Sequence, residues 1–227
     1  MRSYFTGVIG YLFVVLYLAI AGIVLCYTTL FSNSADVSTY FTLMLIVSAV
    51  MLPLLTMKSF SEERKQKTEQ LLMTAPVSIT GVVLGKFLAA YVMFASCITL
   101  TSLYSLVLII YSSFKVAILF GSLIATLLVG AVYIAIGIFV SSLTENQLSA
   151  AVGSIGIILA MLIVGIIGML LPQNYWLRFV FDSLSIFTRF QTFTNGYFDL
   201  ASVVYYFSVC AVFLYLTVRV FDRRRYN

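Results

Sequence analysis

The densest chemistry in this sequence lies in the stretch Lys58-Ser59-Phe60-Ser61-Glu62-Glu63-Arg64-Lys65-Gln66-Lys67-Thr68-Glu69. It holds seven charges in a chain with only 13 Lys plus Arg and 8 Asp plus Glu. Glu63 with Lys67, and Lys65 with Glu69, stand four apart, the spacing at which opposite charges meet along a helix surface. Phe60 at one end and Leu71, Leu72 and Met73 at the other supply apolar anchors. Thr74-Ala75-Pro76-Val77-Ser78 then breaks the segment, because Pro76 disfavours helix in the residue before it and Ser78 can cap the helix that follows. Such a pattern fits a short helix lying at or below a membrane. The same charges also suit a solvated loop whose cations merely fix topology.

The elements that position this segment follow from composition. The chain has 227 residues, 62% apolar and 9% charged, with no histidine. Soluble domains run near roughly 45–50% apolar and about 25% charged, so lipid must be the solvent here. Charge-free windows run over Ser3 to Ala35, Val37 to Met57, Phe87 to Phe114, Val116 to Thr144, Asn146 to Leu177 and Leu200 to Val218. A helix needs about 20 residues to cross roughly 30 Å of hydrocarbon, so each window holds one span. The expected spans are Val8 to Leu30, Tyr40 to Met57, Thr80 to Leu103, Val116 to Val140, Leu148 to Leu171 and Leu200 to Phe221, in a single domain over residues 1–227.

Lys and Arg bias in the short loops sets the orientation. With the N-terminus inside, one side holds Arg2, Lys58, Arg64, Lys65, Lys67, Lys86, Arg219, Arg223, Arg224 and Arg225, and the other only Lys115, Arg178 and Arg189. Both termini are therefore expected in the cytoplasm, and the net charge of +5 reflects topology rather than a nucleic-acid partner. A cleaved signal peptide is the alternative for the N-terminus, since Ala19-Ile20-Ala21 imitates a cleavage site. The apolar run, however, continues through Cys26. Cys26, Cys97 and Cys210 all lie in apolar windows and read as packing residues rather than a disulfide framework. In the second cytoplasmic loop, Thr144-Glu145-Asn146-Gln147 fits a capping box for the fifth span; Thr144 and Glu145 are also candidates for a secondary contact with a cytoplasmic partner.

The succession Glu62-Glu63-Arg64, Thr68-Glu69-Gln70-Leu71-Leu72, Pro76-Val77-Ser78 and Gly85-Lys86 resembles the cytoplasmic signature of ABC-2 type transporter permeases. There the segment looks like the coupling helix that docks into a groove on the ATP-binding subunit. The resemblance implies a coupling interface of Phe60, Glu62, Glu63, Arg64, Lys67, Thr68, Glu69, Leu71, Leu72 and Pro76. Lys67 stands where many relatives have glycine, and Ala75 where serine often precedes the proline. Arg2-Ser3-Tyr4-Phe5-Thr6 before Ile9-Gly10-Tyr11, Ser141 to Gln147, and Phe190 to Gly196 with Asp199 are similar to the gliding-motility-associated branch of this family. An N-terminal elbow helix, common in the family, is expected to be truncated or absent.

An externally powered permease agrees with the rest of the chain. The deeper spans carry no Asp, Glu or His of the kind that ion-coupled carriers use, and Lys86 sits near the border, where its stem can snorkel to water. Gly81-Val82-Val83-Leu84-Gly85-Lys86-Phe87 resembles a P-loop only superficially, with one residue too few and Phe87 where a hydroxyl would bind magnesium. There is no carboxylate cluster, no metal-ligand spacing and no base for a serine nucleophile. The chain is thus expected to be no enzyme and to bind no cofactor or metal, with ATP and Mg in a separate ATPase subunit. An ion-coupled carrier or channel, or a membrane scaffold of an envelope machine, are the alternative functions.

The fifth span carries Ser149, Gly153, Gly156 and Ala160 at helical spacing. Such small side chains let backbones approach closely, either at a homodimer seam or in packing within one subunit. Ser96, Thr99, Ser102 and Ser105 could line a polar path or simply hydrogen-bond between helices. Outside, Trp176, Val180, Leu184 and Phe187 fall on one helical face, and the aromatic segment Pro172 to Phe198 suits a membrane interface. In the family, short helices there form an external gate, which the resemblance assigns to Trp176, Phe187, Phe190 and Phe193. The expected whole is an all-α membrane protein of six spans with a cytoplasmic coupling helix between the second and third. It would export an unidentified substrate across the cytoplasmic membrane as a dimer with two ATPase subunits.

Overall fold

In the computed structural model, residues 8–28, 37–67, 78–111, 116–170 and 185–226 are described. They form eight helices and no strand: α1 Val8–Cys26, α2 Val37–Thr56, α3 Lys58–Lys65, α4 Ile79–Tyr111, α5 Val116–Leu143, α6 Gln147–Leu170, α7 Ile186–Thr194 and α8 Leu200–Tyr226. Chains that are apolar on every face form helices in lipid because each backbone N–H and C=O must be paired internally. Among the described residues, five helices are long and apolar enough to cross a membrane: Ser38–Lys65, Ile79–Tyr104, Ile118–Leu143, Gln147–Gly168 and Leu200–Arg224; the helix over Gly10–Cys26 is shorter. The expected span Thr80 to Leu103 underestimated α4, which continues to Tyr111. Its 33 residues rise roughly 50 Å at 1.5 Å each, more than a perpendicular crossing needs.

Helix α5 is the axis of the bundle and touches α2, α3, α4, α6, α7 and α8. Val132, Tyr133, Ile134, Ala135, Ile136 and Ile138 are buried along it on every face. Two glycines allow this crowding. A Cβ at Gly137 would overlap the Thr56 hydroxyl of α2, and one at Gly130 would overlap the Phe94 ring of α4. Helix α1 joins through Tyr17, whose hydroxyl lies 3.1 Å from Ser48 Oγ of α2 and whose ring meets Phe94 edge-on.

Two local expectations are corrected. The capping box on Thr144 does not form: its hydroxyl bonds back to the Val140 carbonyl, and Asn146 caps α6 by accepting from Leu148 N at 3.0 Å. Asn146 wins because its short amide reaches two residues ahead, in the geometry of an Asx turn. The pairing of Glu63 with Lys67 also fails, because α3 stops at Lys65 and Lys67 takes φ +58°. That turn removes the four-residue helical spacing on which the pairing depends. Glu69, the expected partner of Lys65, lies outside the described residues.

Helix α7 sits at the opposite end of the bundle from α3. Ser185 starts it by accepting from Thr188 N at 3.0 Å, and Tyr206 of α8 donates to the Ile186 carbonyl at 2.9 Å. Phe190 and Phe193 are fully buried, Phe187 half-buried, and α7 packs on α5 and α6.

Candidate functional site

Helix α3 is almost a continuation of α2. Met57, the one residue between them, keeps helical angles, φ −54° and ψ −33°, and its N–H bonds to the Pro53 carbonyl at 2.8 Å. A helix start leaves backbone N–H groups without partners, and Met57 has no side chain to cap them. Ser141, near the end of α5, supplies the cap from across the bundle. Its Oγ accepts from Phe60 N at 3.0 Å and Ser61 N at 3.1 Å, and donates to the Met57 carbonyl at 3.0 Å. A hydroxyl has one donor and two lone pairs, so Ser141 is saturated. The site is buried, where each intact hydrogen bond contributes about 1 kcal/mol but each orphaned group costs about 1–3 kcal/mol.

Lys86 of α4 braces the next turn. Its Nζ lies 2.6 Å from Glu63 Oε2, donates to the Ser59 carbonyl and sits 3.8 Å above the centre of the Phe60 ring. The far side of Phe60 packs on Phe221 of α8, with ring centres 4.7 Å apart. This position gives the Lys86 charge a carboxylate, a carbonyl and an aromatic face.

Two arginines close the other end. Arg64 donates to the Leu143 carbonyl at 2.7 Å and pairs with Glu145 at 3.1 Å; Arg224 of α8 donates to the Ser142 carbonyl at 2.9 Å. Ser142 and Leu143 end α5, so both cations stand where unpaired carbonyls and the negative end of the helix dipole favour them. Helix α3 is thus fastened to α4, α5, the α5–α6 turn and α8 at one end of the bundle.

Of the ten residues expected in the coupling interface, Phe60 faces the chain's own core, Glu63 and Arg64 turn toward α4 and the α5–α6 turn, Glu62 is half-exposed and Lys67 exposed. Thr68, Glu69, Leu71, Leu72 and Pro76 lie outside the described residues. Glu145 joins the site, and Thr144 beside it bonds within α5. Along α6, Ser149, Gly156 and Ala160 face outward and Gly153 is half-buried. At the other end, Trp176 lies outside the described residues. Ser96, Thr99 and Ser102 bond to carbonyls of their own helix rather than only between helices as expected. Sequence reasoning missed Ser141, Ser142, Phe221 and the destination of Arg224. The adjacent serines at the end of an apolar run were the only available signal.

Residues 26–225 match the family described as ABC-2 family transporter protein. The chain belongs to the ABC-2 transporter family. No significant match to a curated protein was found. Members of this family are the membrane components of ABC transporters, so this ABC-2 chain is a multi-pass membrane protein and the transmembrane part of such a transporter. Lys67 follows the C-cap of α3 in left-handed backbone, and its N–H bonds to the Arg64 carbonyl at 3.0 Å. That is the position at which glycine closes a helix without a Cβ penalty.

Proposed function

We propose that this chain is the six-span permease of an ABC-2 exporter, with both termini and α3 in the cytoplasm. In this reading α3 couples ATP hydrolysis by a separate ATPase subunit to export of an unidentified substrate across the cytoplasmic membrane. The observation that carries it is the fastening of α3. A lever must be anchored to what it moves, and α3 is a short charged helix continuous with a span and joined to α4, α5 and α8 through Lys86, Ser141, Phe60 and Arg64. Its outward residues Glu62, Lys65 and Gln66 are then the contact for the ATPase. ATP and Mg belong to the partner, and this chain supplies path and lever.

Two copies would pair along α6. A Cβ on Gly156 would meet nothing within 4 Å, so this glycine is not required by packing inside the subunit, whereas one on Gly153 would press on Val140. An outward glycine beside outward Ser149 and Ala160 favours a closely approaching second helix. Helix α7, with Phe187, Phe190 and Phe193, is the outer plug that would shift when the path opens. The gliding-motility-associated branch rests on the motifs at Arg2 to Tyr11 and Phe190 to Asp199.

Purification together with its ATPase subunit tests this reading. Reversal of Glu62 to Lys together with Lys65 to Glu should dissociate the complex or abolish stimulation of its ATPase. Unchanged assembly and stimulation would refute the coupling role.

A further inference from the structure

At the α3 end of the bundle, the start of α4 and the end of α8 run antiparallel and leave a cleft of about 640 Å³. Thr80, Val83 and Leu84 line it from α4, and Ala211, Leu214, Tyr215, Val218, Arg219 and Asp222 from α8. That volume lies within the roughly 300–1,000 Å³ typical of small-molecule sites. Leu84 and Tyr215 are about half exposed, at 48% and 55%, so the cleft opens to the surroundings. In a chain that spans a membrane, those surroundings are lipid.

The lining is graded. Val83, Leu84, Ala211, Leu214 and Val218 form an apolar floor, while Thr80, Arg219 and Asp222 stand toward the helix ends. Arg219 Nε donates to the Tyr215 hydroxyl at 2.7 Å, with its guanidinium 5.2 Å from that ring's centre. Arg219 and Asp222 enter neither the Arg64–Glu145 nor the Lys86–Glu63 ion pair. The rim therefore offers one cation and one carboxylate above a hydrocarbon-like groove.

We infer that this cleft binds a zwitterionic aminophospholipid of the surrounding leaflet, one acyl chain on the apolar floor, its phosphate at Arg219 and its ammonium at Asp222. A planar guanidinium matches phosphate geometry, and a carboxylate takes hydrogen bonds from a primary ammonium. A quaternary choline has no such hydrogen to give, and an anionic headgroup would leave Asp222 facing like charge. The inference needs only a membrane-spanning chain, so its failure and the failure of ATPase coupling are separate results.

Native mass spectrometry of the full chain in detergent, titrated with phosphatidylethanolamine, phosphatidylcholine and phosphatidylglycerol of matched acyl chains, tests it. Phosphatidylethanolamine should be retained about tenfold better than phosphatidylcholine, the scale of one charge-assisted hydrogen bond. Asp222→Asn should bring it down to the phosphatidylcholine level, and Arg219→Gln should weaken all three. Ala211→Phe, which fills the floor without touching a charge, should also displace phosphatidylethanolamine, and its elution as a monodisperse peak separates displacement from misfolding. Equal retention of the three lipids, preference for phosphatidylglycerol, or a preference that survives both Asp222→Asn and Ala211→Phe would overturn the assignment.

Discussion

Ser141 caps a helix whose preceding residue, Met57, lies 84 positions earlier in the chain: its hydroxyl donates to the Met57 carbonyl and accepts from the N–H groups of Phe60 and Ser61. One side chain thus ties the start of α3 to the end of α5, the helix at the centre of the bundle. Any displacement of α3 must either carry α5 with it or break three hydrogen bonds in a buried place.

Replacing Ser141 with Ala takes the acceptor from the Phe60 and Ser61 N–H groups, while the Met57 carbonyl keeps the Ser61 hydroxyl. A loss of about 2–4 kcal/mol is expected from the buried-group costs, together with weaker coupling of ATP hydrolysis to transport. Thermal unfolding of the purified chain and ATPase stimulation in the complex measure the two effects. Ser141→Thr, which keeps the hydroxyl, should preserve more of both.

The Lys86 and Glu63 side chains are 18% and 38% exposed, so their 2.6 Å pair is partly shielded from water. A double-mutant cycle with Lys86→Met and Glu63→Gln should give a coupling energy of about 1 kcal/mol, above the typical exposed pair but discounted for screening. Lys86→Met alone should cost more, because the cation also serves the Ser59 carbonyl and the Phe60 ring.

Lys67→Gly is expected to stabilise the chain. Its backbone at φ +58° costs a residue with a Cβ about 1 kcal/mol relative to glycine. The melting temperature should rise by a few degrees, and a fall would show that the lysine side chain contributes more than the strain removes.

Asp199 gives a pH dependence at the opposite end. Its carboxylate accepts from Ser202 Oγ at 2.7 Å, Ala201 N at 3.0 Å and Ser202 N at 3.2 Å, capping α8. The Ser202 hydroxyl first, then the Ala201 N–H, holds its pKa below the ordinary carboxylate value. A group depressed on folding stabilises fully above its unfolded pKa of about 4 and loses that contribution as pH falls through the lower folded value. The melting-temperature advantage of the wild-type chain over Asp199→Asn should therefore be flat from neutral pH to about pH 5 and shrink below about pH 4.

The sequence made the spans legible because charge-free length alone identifies a helix in lipid. It exposed the charged segment for the same reason, since charges are scarce enough to stand out. Partners were not legible. Glu63 has Lys67 four residues on and Lys86 on another helix, and only packing decides in favour of Lys86. Ser141 resembled any small residue near a helix end, and Phe60 looked like an outward anchor until Phe221 and Lys86 were seen to enclose it. Thr144 satisfied a local capping pattern that its own helix had already claimed through the Val140 carbonyl.

The most direct test is site-specific photo-crosslinking from Glu62 and Gln66 in the complex with the ATPase, with Leu159 on α6 as the control position. Crosslinks from the two α3 positions to the ATPase, changing in yield on ATP binding and absent from Leu159, are the result expected. Crosslinks to lipid alone, or an ATPase that assembles without touching either position, would contradict the assignment of α3 as the lever.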